Sequence, residues 1–389
     1  MIRQIKFNNF YSFKGEHTLN FVTNKKKSDN YFNTFDGKQI TKVAIVVGPN
    51  NSGKTNLMKL LGFLDYFIST STRPAGDEDF GVGFKAYAFC DQQPSVFEIE
   101  FETEEKLYFY KLKATQDSVV EESISARDLV KNSRVYKIFD RKEDSIVLNN
   151  KVLPGVTKKS LEHIKSNVSA IAFLNSTYDF AEIQGISEYF LGFRTNINEQ
   201  GDVQSLIKSI QLAANAYDVF PDMKEKMEGL ISEFDLGIKK FKFTKDKVNK
   251  SLEVEAVHQI DKKDFRMSLS YESRGTQALF AGIFDILASI EEGEVLALDE
   301  IENGLHPQAV TKLVRYIIDE FSERKRQFIF SSHSFEIMRR LDAQQMIFVE
   351  KENNESTLFR LDEVSVRPDE NFLSKYMSGA YGAFPKIRI

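Results

Sequence analysis

The sequence has no tryptophan, one cysteine and five histidines in 389 residues. A single cysteine, Cys90, excludes an intrachain disulfide and a cysteine-built metal cage, and it suits a reducing compartment. Positive charge is not in excess either. The formal net charge is -5 and the sequence pI about 5.8, which is not the footprint of a protein that coats nucleic acid, although a local basic patch is compatible with it. Long apolar runs are missing. The longest, residues 278–290, is interrupted by Asp285 and too short to span a bilayer. The opening residues Met1-Ile-Arg-Gln-Ile-Lys-Phe7 carry no long apolar region, so no signal peptide is expected. A cytoplasmic protein with no membrane partner is the expectation. What is present is ample core material, 42% hydrophobic with 34 phenylalanines, in a chain long enough for two or three lobes.

The most informative stretch is Gly48-Pro-Asn-Asn-Ser-Gly53-Lys54-Thr55, which fits the G-x-x-x-x-G-K-[ST] phosphate loop. A β-branched run, 42–47, precedes it and reads as a buried strand. Apolar residues at 57, 60, 61, 64 and 68 follow with helical spacing. Strand, Gly-rich turn and helix N-terminus together aim backbone N–H groups at a di- or triphosphate. Lys54 would pair with the β/γ-phosphates and the Thr55 hydroxyl would ligate Mg²⁺. The loop residues Asn50, Asn51, Ser52 and Gly53, with Asn56 behind them, complete the expected cradle.

The order of periodicities suggests five segments. Residues 1–83 hold paired strands (2–10 and 18–21), a polar loop over 23–40, and the phosphate loop with its helix. Period-two alternation in Phe97–Phe101, Leu107–Leu112, 118–125 and 135–139 marks an antiparallel β lobe over 84–157. Residues 158–260 read as a helical insertion, with helices near 203–214 and 223–234, followed by strands 238–243 and 252–257. Regular α/β alternation covers 261–364: helix 273–290, strand 294–298, helix 307–322, strand 327–331, helix 334–341 and strand 345–350. A tail, 365–389, is rich in aromatics and proline.

Four motifs in the last third sharpen the reading. Glu294–Leu298 is an apolar strand ending in Asp299 and Glu300. Asp299 suits a Mg²⁺ shell, and Glu300 is placed to orient and deprotonate an attacking water; an acidic strand-end turn is the blander alternative. Phe328–Ser332 ends in His333, whose neutral imidazole can hydrogen-bond a γ-phosphate, though a histidine before a helix also serves as a cap. Glu272-Ser273-Arg274-Gly275-Thr276 opens a helix, either as a plain N-cap or as a second anion site. Since one phosphate loop is already complete, that second site invites a partner's nucleotide. Glu302-Asn-Gly-Leu-His-Pro307 forces a turn before the next helix, placed to lie across a dimer seam. The charged clusters Glu98/Glu100/Lys106 and Asp261–Asp264 read as exposed faces of strands or hairpins rather than a nuclease centre, and no metal beyond Mg²⁺ is expected.

This order of motifs resembles the ABC-type ATPases of the SMC/RecF/OLD group. The residues that carry the resemblance are 8–13, 48–55, 272–276, 298–307 and 331–333, and it covers roughly 1–70 and 265–350. It implies an α/β fold: an ABC-type P-loop ATPase head with an antiparallel β lobe and a helical insertion. It implies two heads packed head-to-tail around two ATP, each nucleotide meeting Ser273 and Gly275 of the opposite copy, with Ser12 and Phe13 near the α-phosphate and the ribose or base. Glu-Ser-Arg-Gly-Thr departs from the transporter signature Leu-Ser-Gly-Gly-Gln, which argues against a transporter subunit. A Mg-contacting loop glutamine has only Gln92 and Gln93 as candidates, in what reads as an exposed loop. The chain after His333 is too short for a Toprim nuclease domain, and the ending around Tyr376–Pro385 is similar to stand-alone RloA/AbiLi-like ATPases of phage-defence loci.

The resemblance therefore implies an ATP-hydrolysing homodimer, or larger even-numbered assembly, that acts as sensor or scaffold for a separately encoded nuclease or toxin. DNA or a phage component is left open as a further partner. Two alternatives remain at this point. One is a DNA-repair or chromosome-type ATPase, for which the Lys-rich stretch 239–247 and Lys25–Lys27 are the only basic candidates. The other is a scaffold that binds nucleotide without hydrolysing it.

Overall fold

The computed structural model describes residues 1–23, 30–73, 81–142, 145–197, 206–234, 237–245, 252–302, 305–322, 324–364 and 376. In chain order these form β1 (Ile2–Asn8), β2 (His17–Asn20), β3 (Val22–Thr23), β4 (Tyr31–Asn33), β5 (Gln39–Thr41), β6 (Val43–Val47) and α1 (Lys54–Asp65). Next come β7 (Ser95–Glu102), β8 (Lys106–Ala114), β9 (Val119–Asp128), β10 (Tyr136–Lys142), β11 (Ser145–Leu148), α2 (Lys158–Glu162), α3 (Ala170–Thr177), α4 (Ala181–Leu191) and β12 (Phe193–Thr195). Then follow α5 (Leu206–Val219), α6 (Pro221–Glu233), β13 (Ile238–Lys245), β14 (Leu252–Ile260), β15 (Lys263–Ser268) and α7 (Arg274–Glu291). The chain continues through β16 (Val295–Leu298), α8 (Pro307–Ser322), β17 (Gln327–Ser331), α9 (Phe335–Met338), β18 (Met346–Glu352) and β19 (Glu355–Arg360).

Among the described residues the strands form four sheets. The one that positions the site runs β12-β16-β17-β6-β18-β19, parallel except for the β18–β19 hairpin. Its inner strands β6 and β16 are short and apolar throughout because both faces are covered. Alternation along β6 divides the core. Val43, Ile45 and Val47 join a cluster with α7 and α8, while Ala44 and Val46 join a cluster with α1 and the antiparallel lobe.

The second large sheet runs β11-β10-β9-β8-β7-β1-β2 and is antiparallel. Its inner face packs on α1, α3 and α4 through buried rings, among them Phe7, Phe10, Phe63 and Phe97. Its outer face carries cross-strand charge pairs such as Lys6 opposite Glu98 and Glu98 opposite Lys111. Buried Gln327 on β17 joins the two large sheets: it accepts from Ile2 N at 2.5 Å and donates to Ile2 O at 2.9 Å.

The α/β class holds, and the differences are local. The β lobe is not a unit beginning at 84, because β1 and β2 complete its sheet. The segment 158–260 is not one insertion: β12 is an edge strand of the nucleotide sheet, whereas β13–β15 form a separate sheet packed with α5 and α6. Polar residues 23–40 are not simply a loop, since β3–β5 make a small sheet there. The phosphate-loop helix starts at Lys54 and, after Asp65, widens into a π turn over Tyr66–Thr70, where Ser69 and Thr70 hydroxyls bond carbonyls one turn back. The helix after His333 covers only Phe335–Met338, its end tightened by three-residue bonds from Arg340 and Leu341. Asp261 and Lys262 take left-handed φ in the β14–β15 turn, so the cluster at 261–264 is a hairpin tip. Of the tail, all but Tyr376 lies outside the described residues; Tyr376 packs 5.2 Å from the Phe348 ring.

α7 carries the acid that interrupts the longest apolar run. Burial pushes the Asp285 carboxyl from its ordinary 3.8 up to about 7, against the lowering pull of Arg194. A raised acid means that the folded state keeps a proton that the unfolded chain releases. Stability therefore falls as pH rises from about 4 to about 7, and the full penalty stands above that window. Asp285→Asn should flatten this slope in thermal-denaturation midpoints and stabilise the protein above neutrality by up to about 4 kcal/mol; parallel pH profiles for variant and wild type would contradict it.

Candidate functional site

The loop after β6 is shaped by backbone constraints before any side chain acts. A Cβ on Gly48 would sit 2.2 Å from Val349 O and 2.7 Å from Ser52 Oγ. Asn51 and Gly53 take φ of 63° and 114°, which curls the loop, and Ser52 N closes it by donating to Pro49 O at 3.2 Å. A Cβ on Gly53 would also meet Ser356 Oγ at 2.6 Å and Ser12 Oγ at 2.9 Å.

Lys54, the first residue of α1, is only 5% exposed. Its ammonium donates to Gly48 O at 2.9 Å and Pro49 O at 3.1 Å. Desolvation lowers its pKa, and the charges of Asp299, Glu300 and Glu302 pull it back up. Two neutral carbonyls compensate a buried ammonium poorly, so the position favours an anionic ligand.

β16 delivers Asp299 to the same place. Thr55 Oγ1 donates to Asp299 Oδ2 at 2.6 Å across 244 residues of sequence. Ser331 Oγ, at the end of β17, donates to Asp299 Oδ1 at 2.5 Å and accepts from Glu300 N at 2.7 Å. Glu300 is exposed and takes φ of 47°, a left-handed conformation that costs a non-glycine residue about 1 kcal/mol or more. His333 N donates to Glu302 Oε1 at 2.5 Å. Partial desolvation, then the Lys54 charge, lowers the His333 pKa from 6.5 against the raising pull of Glu302, Glu300 and Asp299, which favours the neutral ring at physiological pH.

A second layer supports the loop from behind. Asn56 Nδ2 donates to Ser12 Oγ at 2.8 Å, and Ser356 Oγ reaches both Ser12 Oγ (2.7 Å) and Ser52 O (2.6 Å). Ser12 is thus held against the loop. Phe13 is not: it is fully buried and packs edge-on against Phe7 at 5.2 Å, so it does not line a ribose or base site as expected. The turn's half-exposed aromatic is Tyr11, whose ring lies 4.6 Å from the Lys59 ammonium. Asn50 and Asn51 are exposed on the loop's rim, with Lys351 Nζ 3.4 Å from Asn51 Oδ1.

The signature segment behaves as an N-cap within its own chain. Ser273 Oγ accepts from Thr276 N at 3.1 Å, and Ser273 is exposed while Gly275 is buried. His306 caps α8 through Nδ1, accepting from Gln308 N at 3.3 Å; Asn303 and Gly304 of the same turn lie outside the described residues. Gln92 and Gln93 are exposed on a loop tied to β1 by Asn9 Nδ2, which donates to Gln93 O at 2.8 Å.

The donor set fits a nucleotide with its metal. A glycine-shaped cradle, a buried lysine and a hydroxyl beside a carboxylate supply phosphate donors and the hard oxygens that Mg²⁺ takes. Residues 43–339 match the family described as "AAA domain, putative AbiEii toxin, Type IV TA system". The chain belongs to that family. No curated protein matches the sequence. Among solved structures, an SMC head bound to the C-winged helix domain of ScpA aligns over 93% of this chain and 98% of its own, at 13% identity and a TM-score of 0.51. SMC heads from Pyrococcus yayanosii (12% identity, 98% and 99% covered, TM-score 0.49) and Pyrococcus furiosus (16%, 93% and 97%, 0.46) align less closely. At such identities the likeness speaks for the fold, an ABC-type P-loop ATPase head.

Two residues of this AAA-domain chain, Ser356 and Asn196, escaped the sequence reading, and Ser331 entered it only within the 331–333 motif, with no role of its own. Ser331 and Ser356 stand at strand positions that look like ordinary polar ends. Asn196 sits between a helix and a polar stretch with no motif around it; its amide brackets Asp299, as taken up below. Only the three-dimensional pairing of β12 with β16 exposes it.

The loop's steric shape is testable. Gly48→Ala should lower the unfolding free energy by about 2 kcal/mol, since the methyl would strike the Val349 carbonyl. Gly15→Ala, which meets nothing within 4 Å, should leave the chemical-denaturation midpoint unchanged.

Proposed function

We propose that this chain binds Mg–ATP at the 48–55 loop and hydrolyses it, pairing with a second copy around the nucleotide as it does so. The observation that carries the reading is the Thr55–Asp299 contact of 2.6 Å, which joins the phosphate loop to the acidic strand end. In this reading Lys54 meets the β/γ-phosphates and the N–H groups of Asn50 to Thr55 wrap the chain of phosphates. Asn56 and Ser12 hold the loop's rear face. Thr55 and Asp299 hold Mg²⁺, which when bound neutralises charge on the phosphate oxygens. Glu300 accepts the proton of an attacking water, and neutral His333 donates to the γ-phosphate. Ser273, exposed at the start of α7, and Gly275 face the nucleotide of the opposite copy.

The energy source is differential affinity: a nucleotide that touches both copies favours the paired state, and hydrolysis removes that preference. We further propose that this cycle controls a separately encoded nuclease or toxin in defence of a prokaryotic cell against phage. The family's description, which names a toxin–antitoxin system, supports an assignment of this kind. Direct action on DNA has less support. Lys242 lies opposite Glu255 in the β13–β14 register, and Lys245 Nζ is 3.6 Å from Asp218 Oδ2, so these two lysines of the basic stretch are locally countered; Lys247 and Lys25–Lys27 lie outside the described residues.

The test is native mass spectrometry and phosphate release on three variants, with and without ATP and Mg²⁺. Lys54→Ala should lose nucleotide binding and stay monomeric. Glu300→Gln should bind but turn over on the order of a hundredfold or more slower, and accumulate as an even-numbered assembly. Ser273→Arg should bind nucleotide as a monomer. Full turnover in Lys54→Ala, or a Glu300→Gln protein that remains a lone monomer in ATP, would sink the proposal.

A further inference from the structure

β12 is a three-residue strand, paired in parallel with β16 at Phe193–Val295, Arg194–Leu296 and Thr195–Ala297. The ladder stops there, two residues short of Asp299. Asn196 continues it with its side chain. Its Nδ2 donates to Asp299 O at 2.8 Å, and its Oδ1 accepts from Asp299 N at 2.8 Å. A primary amide carries the same donor and acceptor as a peptide group, so this side chain replaces the missing strand neighbour on both backbone groups of one residue.

The bracketed residue is the one that needs it. Asp299 is 6% exposed and precedes Glu300, whose φ of 47° is unfavourable for a residue with a Cβ. Its two carboxylate oxygens are fixed by Thr55 and Ser331, and among the described residues Asn196 is what holds its own peptide groups on the β12 side. β12 also lies against α1: a Cβ on Gly62 would be 3.7 Å from Thr195 Cγ2. The same short strand thus touches the helix that presents Lys54 and Thr55 and the residue that faces Thr55.

We infer that Asn196 is a positioning residue, which sets the Asp299 peptide so that the carboxylate meets Thr55 and Glu300 keeps its left-handed turn. This rests on the reading of Asp299 as a Mg²⁺ ligand, but its first test does not. In nucleotide-free protein, amide hydrogen exchange at Asp299 and Glu300 should accelerate about tenfold or more in Asn196→Ala, the scale of losing two neutral hydrogen bonds. Exchange along β18 should stay as in wild type, which a general loss of stability would not allow. Asn196→Asp keeps an acceptor for Asp299 N but loses the donor to Asp299 O. It should fall between the two, and it carries the test where the alanine variant does not fold. The second readout is the Mg²⁺ concentration for half-maximal binding of a fluorescent ATP analogue, which should rise about tenfold while metal-free binding is retained. Unchanged exchange at Asp299 and Glu300 in the folded variants overturns the inference, as does unchanged Mg²⁺ dependence in Asn196→Ala. A wild type with no Mg²⁺-dependent binding sinks the proposed site instead, and the exchange data then decide the role of Asn196 alone.

Discussion

Asp299 is a carboxylate brought almost entirely out of water at the end of a buried strand. It is tolerated because hydroxyls from Thr55 and Ser331 occupy its two oxygens and an amide occupies its backbone groups. Those partners come from α1, β17 and the end of β12. The acidic strand end can therefore exist only when the phosphate-loop helix, the central strands and the edge strand are all in place. The same crowding explains Lys54, whose buried ammonium lies in the field of Asp299, Glu300 and Glu302. Opposite charges held close around a desolvated ammonium attract it and do not need to touch.

The two large sheets divide the labour. The parallel sheet aims the C-terminal ends of β6, β16 and β17 at one crevice, the usual place for a ligand in an open α/β sheet. The antiparallel sheet covers α1 from the far side and fixes it through a phenylalanine-rich layer. Gln327 ties the sheets at the opposite end by satisfying both backbone groups of Ile2. Rigidity at that seam matters because the loop tolerates little displacement: Gly48 has the Val349 carbonyl directly behind it.

Much of this was legible in the sequence where local chemistry dictates local structure. The Val43–Val47 run, the Gly48–Thr55 loop, the Pro307 helix start and the Asp299–Glu300 strand end each announce themselves by residue type and spacing. What could not be read was pairing across long separations. Residues 1–21 looked like a hairpin and are one, but nothing local says that β1 adds to β7. A three-residue strand such as β12 has no periodicity to detect, so its membership of the nucleotide sheet was hidden, and Asn196 with it. Phe13 misled because a family pattern assigned it to the ligand, whereas its neighbours Phe7 and His17 claim it for the core. The phenylalanine excess, opaque as composition, is shared between the layer that joins the β lobe to α1 and the core on the α7–α8 side of the nucleotide sheet.

The strand order also has a consequence for how the protein is made. β6 leaves the ribosome early, yet its two neighbours are β17 and β18. Until the chain has been synthesised past residue 331, the Val43–Val47 segment has neither edge paired by its native partners, and its second edge waits for β18. Closing so long a loop costs only slowly growing entropy, so the equilibrium fold is not penalised much. The nascent chain, however, carries an apolar, β-branched segment with open edges for most of its translation, the kind of segment that pairs with other chains when left exposed. The antiparallel lobe has most of its strands sequence-adjacent and can form first; the nucleotide crevice is a late event, assembled only when the last third of the polypeptide arrives.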